Sequence, residues 1–167
     1  VGPKFIVDAN VGKLAKWLRM MGFDTLFFDG PDDGMMVKMA MEQDRTIITR
    51  DTEFMKRRAI TIGRVQAILV SGDDPELQMQ AVLTKLELSD KAKPFTRCLE
   101  CNTVLKEMDR SEVADLVPAR VYEIQNQYMA CPSCRRIYWR GTHWKAMNNK
   151  LHEFDSTQPE RNEGERP

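Results

Sequence analysis

The chain is poor in the residues that many hydrolases and nucleotide-binding proteins rely on. It has two histidines, His143 and His152, in 167 residues, and no serine elbow accompanies them, so a Ser-His-acid triad has no support. Neither a GxGxxG nor a GxxxxGK[ST] stretch occurs, which argues against dinucleotide and P-loop sites. No run approaches the ~18 consecutive apolar residues of a membrane span, and the N-terminus lacks a charged-then-apolar secretory pattern. A soluble, intracellular, cytoplasmic protein that does not engage a membrane is expected. Net charge is missing too: Lys plus Arg and Asp plus Glu both count 25, so the overall charge points to no polyanionic partner.

The charge that is present is unevenly spread. Residues 1–90 carry 12 bases and 14 acids, residues 91–150 carry 11 and 6, and the remainder 2 and 5. The positive field therefore lies on the C-terminal half.

Along the first ninety residues, apolar strand patterns alternate with helical ones. "KFIVD" (4–8), "TLFF" (25–28), "TIIT" (46–49) and "QAILV" (66–70) read as strands. After the first, Val11, Leu14, Ala15, Leu18 and Met21 share one helical face, with Asn10 as N-cap and Gly22 as the stop. Further helices are expected over 32–44, 52–59 and 75–88. Four strand-helix alternations with short connections predict an α/β domain of three layers over residues 1–90, with a mainly parallel sheet covered on both faces.

In such sheets ligands bind beyond the carboxyl ends of the strands, and acids collect there. Asp8 ends the first strand and Asp51 ends the third; Asp32, Asp33 and Glu53 can reach the same side, as can Asp73 and Asp74 after the fourth. Each acid also precedes a helix, where capping orphan N–H groups is its ordinary task. Several at one edge would repel unless a cation joined them. Oxygen ligands suit Mg²⁺ or Mn²⁺, which hold a phosphodiester and activate water. Arg50 could steady a phosphate or pair with the acids. Lys13, Lys16 and Arg19, spaced by three, are either a phosphate rail or a solvated helix face.

The four cysteines fall into two hooks, "CLEC" (98–101) and "CPSC" (131–134), separated by 29 residues. Cys98, Cys101, Cys131 and Cys134 have the spacing of a closed structural Zn²⁺ site, predicting a zinc ribbon over 96–150 whose middle, including "VYEIQNQYMA", supplies strands. Its fold would depend on the metal. Residues 131–150 carry five bases and no acid, interleaved with Tyr138, Trp139, His143 and Trp144. Arg135, Arg136, Arg140 and Lys145 beside these rings suit single-stranded RNA. Alternatively the rings pack the ribbon against the first domain, or the segment docks a protein partner. Residues 151–167 read as a disordered tail.

"FIVDANVGKLAKWLRMMGFDT", "TIITRD", the paired hooks and "YWRGTHW" together resemble the Mut-seven C-terminal RNase domain family, from about Lys4 to Met147. The resemblance implies a PIN-like nuclease fold fused to a zinc ribbon. It further implies that Asp8, Asp33 and Asp51 bind catalytic Mg²⁺ or Mn²⁺, that Asp32 and Glu53 are supporting acids, and that RNA is the substrate. It also leaves open a non-catalytic RNA-binding or docking module at the end of a larger exonuclease-like protein.

Overall fold

The computed structural model describes residues 2–156. Strands β1 (Lys4–Asp8), β2 (Asp24–Phe28), β3 (Thr46–Thr49) and β4 (Ala67–Leu69) form one parallel sheet in the order β2-β1-β3-β4. Central β1 sets Ile6 between Leu26 and Ile47. Alternation along the strands feeds two cores. Phe5, Val7, Ile48 and Ile68 pack against α1 (Gly12–Met20) and α4 (Pro75–Leu86). Ile6 and Ile47 pack on the other face with Met36 and Ala40 of α2 (Asp33–Gln43), and with Phe54. Phe5, Ile6, Val7, Ile47 and Ile48 expose no surface, and burying each contributes about 1.5–3 kcal/mol.

Two local expectations change. Asn10 does not cap a helix: it lies in a 3-10 turn, Ala9–Val11, and α1 starts after Val11 with no side-chain cap. The helix expected over 52–59 breaks because Arg57 is extended (ψ 137°). A 3-10 turn, Phe54–Lys56, precedes it, and the short helix α3 (Arg58–Thr61) follows.

The second unit has an antiparallel sheet of β5 (Lys106–Met108), β6 (Tyr128–Ala130) and β7 (Ile137–Trp139). Between β5 and β6 come α5 (Arg110–Val113) and α6 (Ala119–Ile124), so only part of "VYEIQNQYMA" is strand. A capping box between Asp109 and Glu112 starts α5, and Val113, Val117 and Tyr128 make a small core. The last helix, α7 (Thr142–Ser156), runs past residue 150 into the stretch read as tail; residues 157–167 lie outside the described residues. Lys150 of α7 pairs with Glu76 of α4, tying the end of the ribbon back to the first domain.

The joint between the units is built on α1. Gly22 ends this helix at φ 86°, and a Cβ there would lie 2.1 Å from the Lys93 carbonyl oxygen, so no other residue allows the linker, the segment between α4 and Cys98, to lie so close. The amides of Lys93 and Phe95 donate to the Met21 and Met20 carbonyls (2.8 and 3.3 Å), closing the helix C-terminus. Arg19, only 7% exposed, donates to the carbonyl of Thr25 (2.9 Å) and, across the joint, to those of Leu99 (2.8 Å) and Glu100 (2.9 Å). Asp24 accepts from Arg45 (2.7 Å) and from Asn102 (2.8 Å), while Arg97 lies 3.7 Å away. Burial alone would raise the Asp24 pKa, but the hydrogen bonds from Arg45 and Asn102 and the charges of Arg45 and Arg97 outweigh it and hold it below 3.8.

Replacing Arg19 with Leu strands two ribbon carbonyls and should cost about 2–3 kcal/mol in urea denaturation. Because its folded pKa is depressed, Asp24 contributes stability that is complete above the ordinary carboxylate range and lost as pH falls through the folded value. Asp24→Asn should therefore lower stability at neutral pH and flatten the acid limb of the stability-pH curve measured by denaturation between about pH 2 and 5.

Candidate active edge and cysteine centre

Strand order places a switch point between β1 and β3, since the connection from β1 leads toward β2 and that from β3 toward β4. Asp8 and Thr49 end these neighbouring strands. The Thr49 hydroxyl, fully buried with its residue, donates to Asp8 Oδ2 at 2.7 Å. Asn10 Nδ2 donates to the same oxygen (2.9 Å) and to Thr49 Oγ1 (3.3 Å), and its Oδ1 accepts from the Arg50 amide (3.1 Å). Thr49 Oγ1 also accepts from the Asp51 amide at 3.1 Å. These two side chains lock the β1 and β3 ends together. The sequence reading missed both as site residues; the polar Thr closing an apolar strand, just before Arg-Asp, was the available signal.

The other acids divide their work. Asp51 Oδ1 accepts from the amides of Glu53 (2.8 Å) and Phe54 (3.2 Å), the capping role weighed above. Asp32 caps α2 through Gly34 and Asp74 caps α4 through Glu76, each at 2.8 Å. Asp33 pairs with Arg57 (2.9 Å), Glu53 with Lys56 (2.6 Å), and Asp73 with Arg50. Asp8 Oδ1, Asp33 Oδ1 and Asp51 Oδ2 accept no hydrogen bond among the described residues. These three acids do not form a cluster within 4.8 Å; among the described residues the cysteines alone do so.

Of the three bases spaced along α1, two stay at the surface and one does not. Arg19 points inward, Lys16 pairs with Glu100 at 2.7 Å, and Lys13 is exposed. On the ribbon, Arg135, Arg136, Arg140 and Lys145 are exposed. Tyr138 is turned inward, its hydroxyl 3.0 Å from Cys98 Sγ and accepting from the Leu99 amide at 3.3 Å. Trp144 meets Phe95 edge-on at 6.2 Å between ring centres. The side chain of His143 lies outside the described residues.

The two hooks repeat one geometry. Cys98 N–H donates to the Thr103 carbonyl and Cys131 N–H to that of Arg136, both at 2.9 Å; Asn102 N–H returns to the Cys98 carbonyl and Arg135 N–H to that of Cys131, at 3.0 and 2.9 Å. Asn102 and Arg135 both take left-handed backbone, φ 65° and 61°. All four sulfurs lie within 4.8 Å of one another, Cys98 to Cys134 at 3.5 Å and Cys101 to Cys131 at 3.3 Å. A tetrahedron of Zn–S bonds of about 2.3 Å has edges of about 3.8 Å, so the four cysteines could bind structural zinc. Crowding splits their acidities. The hydrogen bond with the Thr103 hydroxyl leads in bringing Cys101 down to about 6. At Cys134 a backbone hydrogen bond with Arg136 pulls down, but desolvation and the neighbouring thiols push it up to about 11. A dication removes that conflict by holding every sulfur as thiolate.

The model of the Mut7-C RNAse domain matches residues 3–151, spanning both the parallel sheet and the cysteine centre. The chain belongs to the Mut7-C RNAse domain family. No curated protein and no solved structure is detectably similar to it. Membership points to a nuclease-like function on RNA and brings both units of this Mut7-C domain under one family description. Among its described residues no helix is long and apolar enough to cross a membrane.

Metal analysis of purified protein should find one zinc per chain, absent from Cys98→Ser and Cys131→Ser. Chelation should abolish the near-ultraviolet circular dichroism of Tyr138 and Trp139, as expected if metal binding contributes to folding of the ribbon.

Proposed function

We propose that the protein is a metal-dependent ribonuclease acting on single-stranded RNA, with a PIN-like active edge at the β1/β3 switch point and the zinc ribbon assisting in binding the strand. The observation that supports this most is the pair of carboxylates at adjacent strand ends. Asp8 keeps Oδ1 and Asp51 keeps Oδ2 free of hydrogen bonds among the described residues, while Thr49 and Asn10 hold the backbone between them.

Asp8 and Asp51 would hold a Mg²⁺ or Mn²⁺ ion; such ions are commonly bound by one or two carboxylates and several waters, so a tight cluster of acids is not required. Asp33 would join them through its free oxygen. The chemistry such an ion supplies is an activated water and neutralisation of phosphate charge. The side chains around it do the positioning. Thr49 and Asn10 donate to Asp8 Oδ2 and hold that carboxylate in one orientation. Arg50, paired with Asp73, is the cation closest in sequence to Asp51 and would exchange that partner for a phosphate. Exposed Lys13, one residue into α1, would meet the strand beside it.

A second reading, a module that binds RNA or a protein without cutting, is favoured by one specific observation: Asp32, Asp33, Asp51 and Asp73 each have a capping or pairing role already.

Cleavage of an unstructured oligoribonucleotide with Mn²⁺ decides between them. Asp8→Asn and Asp51→Asn should each lower the rate about a hundredfold or more while retaining the parent melting temperature within a few degrees. Thr49→Val should cost about 10- to 100-fold, as expected for loss of a group supporting a metal ligand. Retention of full activity by both Asn variants would sink the mechanism, and Mn²⁺-independent RNA binding without cleavage would establish the second reading.

A further inference from the structure

We propose that the half-open cavity lined by the linker, the ribbon and α7 seats one unpaired base of an RNA strand. The cavity holds about 270 Å³, and its wall includes Phe95, Leu99, Leu105, Tyr138, Trp139 and Trp144. A mainly apolar, aromatic lining is typical of sites that enclose a flat small molecule. Its rings are held by neighbouring groups: Tyr138 by Cys98 and the Leu99 amide, and Trp144 by edge-on contact with Phe95 of the same wall. The seat is therefore present before any ligand arrives.

Charge complementarity selects the occupant. The Arg140 guanidinium lies 4.9 Å from the Trp144 ring centre and 5.4 Å from that of Phe95. Arg135, Arg136 and Lys145 are exposed on the same ribbon and helix, where residues 131–150 contain no acid. A nucleotide in a strand satisfies both halves, placing its flat base against the rings and its phosphates among the cations. An apolar side chain from a protein would satisfy the wall alone.

The position of the seat adds a constraint on the substrate. Met20, the last residue of α1, lines the cavity, whereas the first turn of α1 follows directly on Asp8 and Asn10. Nine helical residues separate the two ends by about 13 Å. A strand with a base in the seat reaches the acids along α1, past exposed Lys13 and past Lys16, which is exposed and paired with Glu100. The assignment rests on the ribonuclease reading for its choice of ligand, and its test requires no cleavage.

The zinc-loaded full chain carrying Asp8→Asn is titrated, in EDTA-free buffer without added Mn²⁺, into a labelled unstructured RNA of about eight nucleotides, a length within the ~4–16 of known single-strand sites. Anisotropy reads the affinity, and the RNA is remade with an abasic nucleotide at each position in turn. One position should weaken binding about 5- to 150-fold, the range that stacking of one base is worth. Thr142→Trp, which adds bulk at a cavity-lining exposed position without removing a wall residue, should weaken binding of the intact RNA similarly and make the abasic scan flat. A flat scan in the parent protein overturns the seat, as does equally tight binding of adenosine monophosphate, which would make it a free-nucleotide pocket. The ribonuclease reading fails separately: if Asp8→Asn still cuts RNA while the abasic effect persists, the mechanism falls and the seat stands.

Discussion

The structure depends on one buried guanidinium. Arg19 sits at the end of α1 with its donors spent on one carbonyl of β2 and two carbonyls of the first cysteine hook. Burying a cation is costly, and burial lowers its pKa although the cysteines and Glu100 pull it back. The cost is offset because Nε and Nη1 donate to three peptide carbonyls arranged around it. The same helix end receives the linker amides, and Gly22 makes room for that approach. Two small cores that would each be marginal alone thus share a set of polar contacts across their boundary.

This joint explains why some of the chain could be read in advance and some could not. The strands were legible because Phe5, Ile6 and Val7, like Ile47 and Ile48, form continuous apolar runs that only a sheet buried on both faces can use. The cysteine hooks were legible because their spacing is a chemical constraint. Arg19 was not: its spacing with Lys13 and Lys16 describes a stripe on the helix, but spacing cannot say that another unit will cover one end of it. Asn10 misled for a related reason, since a short polar side chain before a helix is as able to bridge two strand ends as to cap. The insertion between β5 and β6 went unread because helices as short as α5 and α6 carry too few turns for a period.

The acids at the sheet edge show how little identity alone decides. Asp32, Asp51 and Asp74 each accept from backbone amides two residues on, a local bond that follows from an aspartate before a turn or helix. Asp8 differs, because its partners Thr49 and Asn10 come from a neighbouring strand and from the turn leading into α1, and it helps neither to begin a helix nor to neutralise a cation. A carboxylate oriented by tertiary contacts, with one oxygen left over, is what distinguishes this edge from an ordinary row of caps.

The left-handed residue behind each hook is usually the place for glycine, yet this protein has Asn102 there, and its side chain accepts from the Thr25 amide (3.0 Å) on the outer strand while donating to Asp24. The hook therefore doubles as a key cut for one lock. A ribbon grafted from elsewhere with glycine at this point would take up its metal normally and still sit loosely, leaving the edge of the sheet bare to pair with a neighbouring molecule.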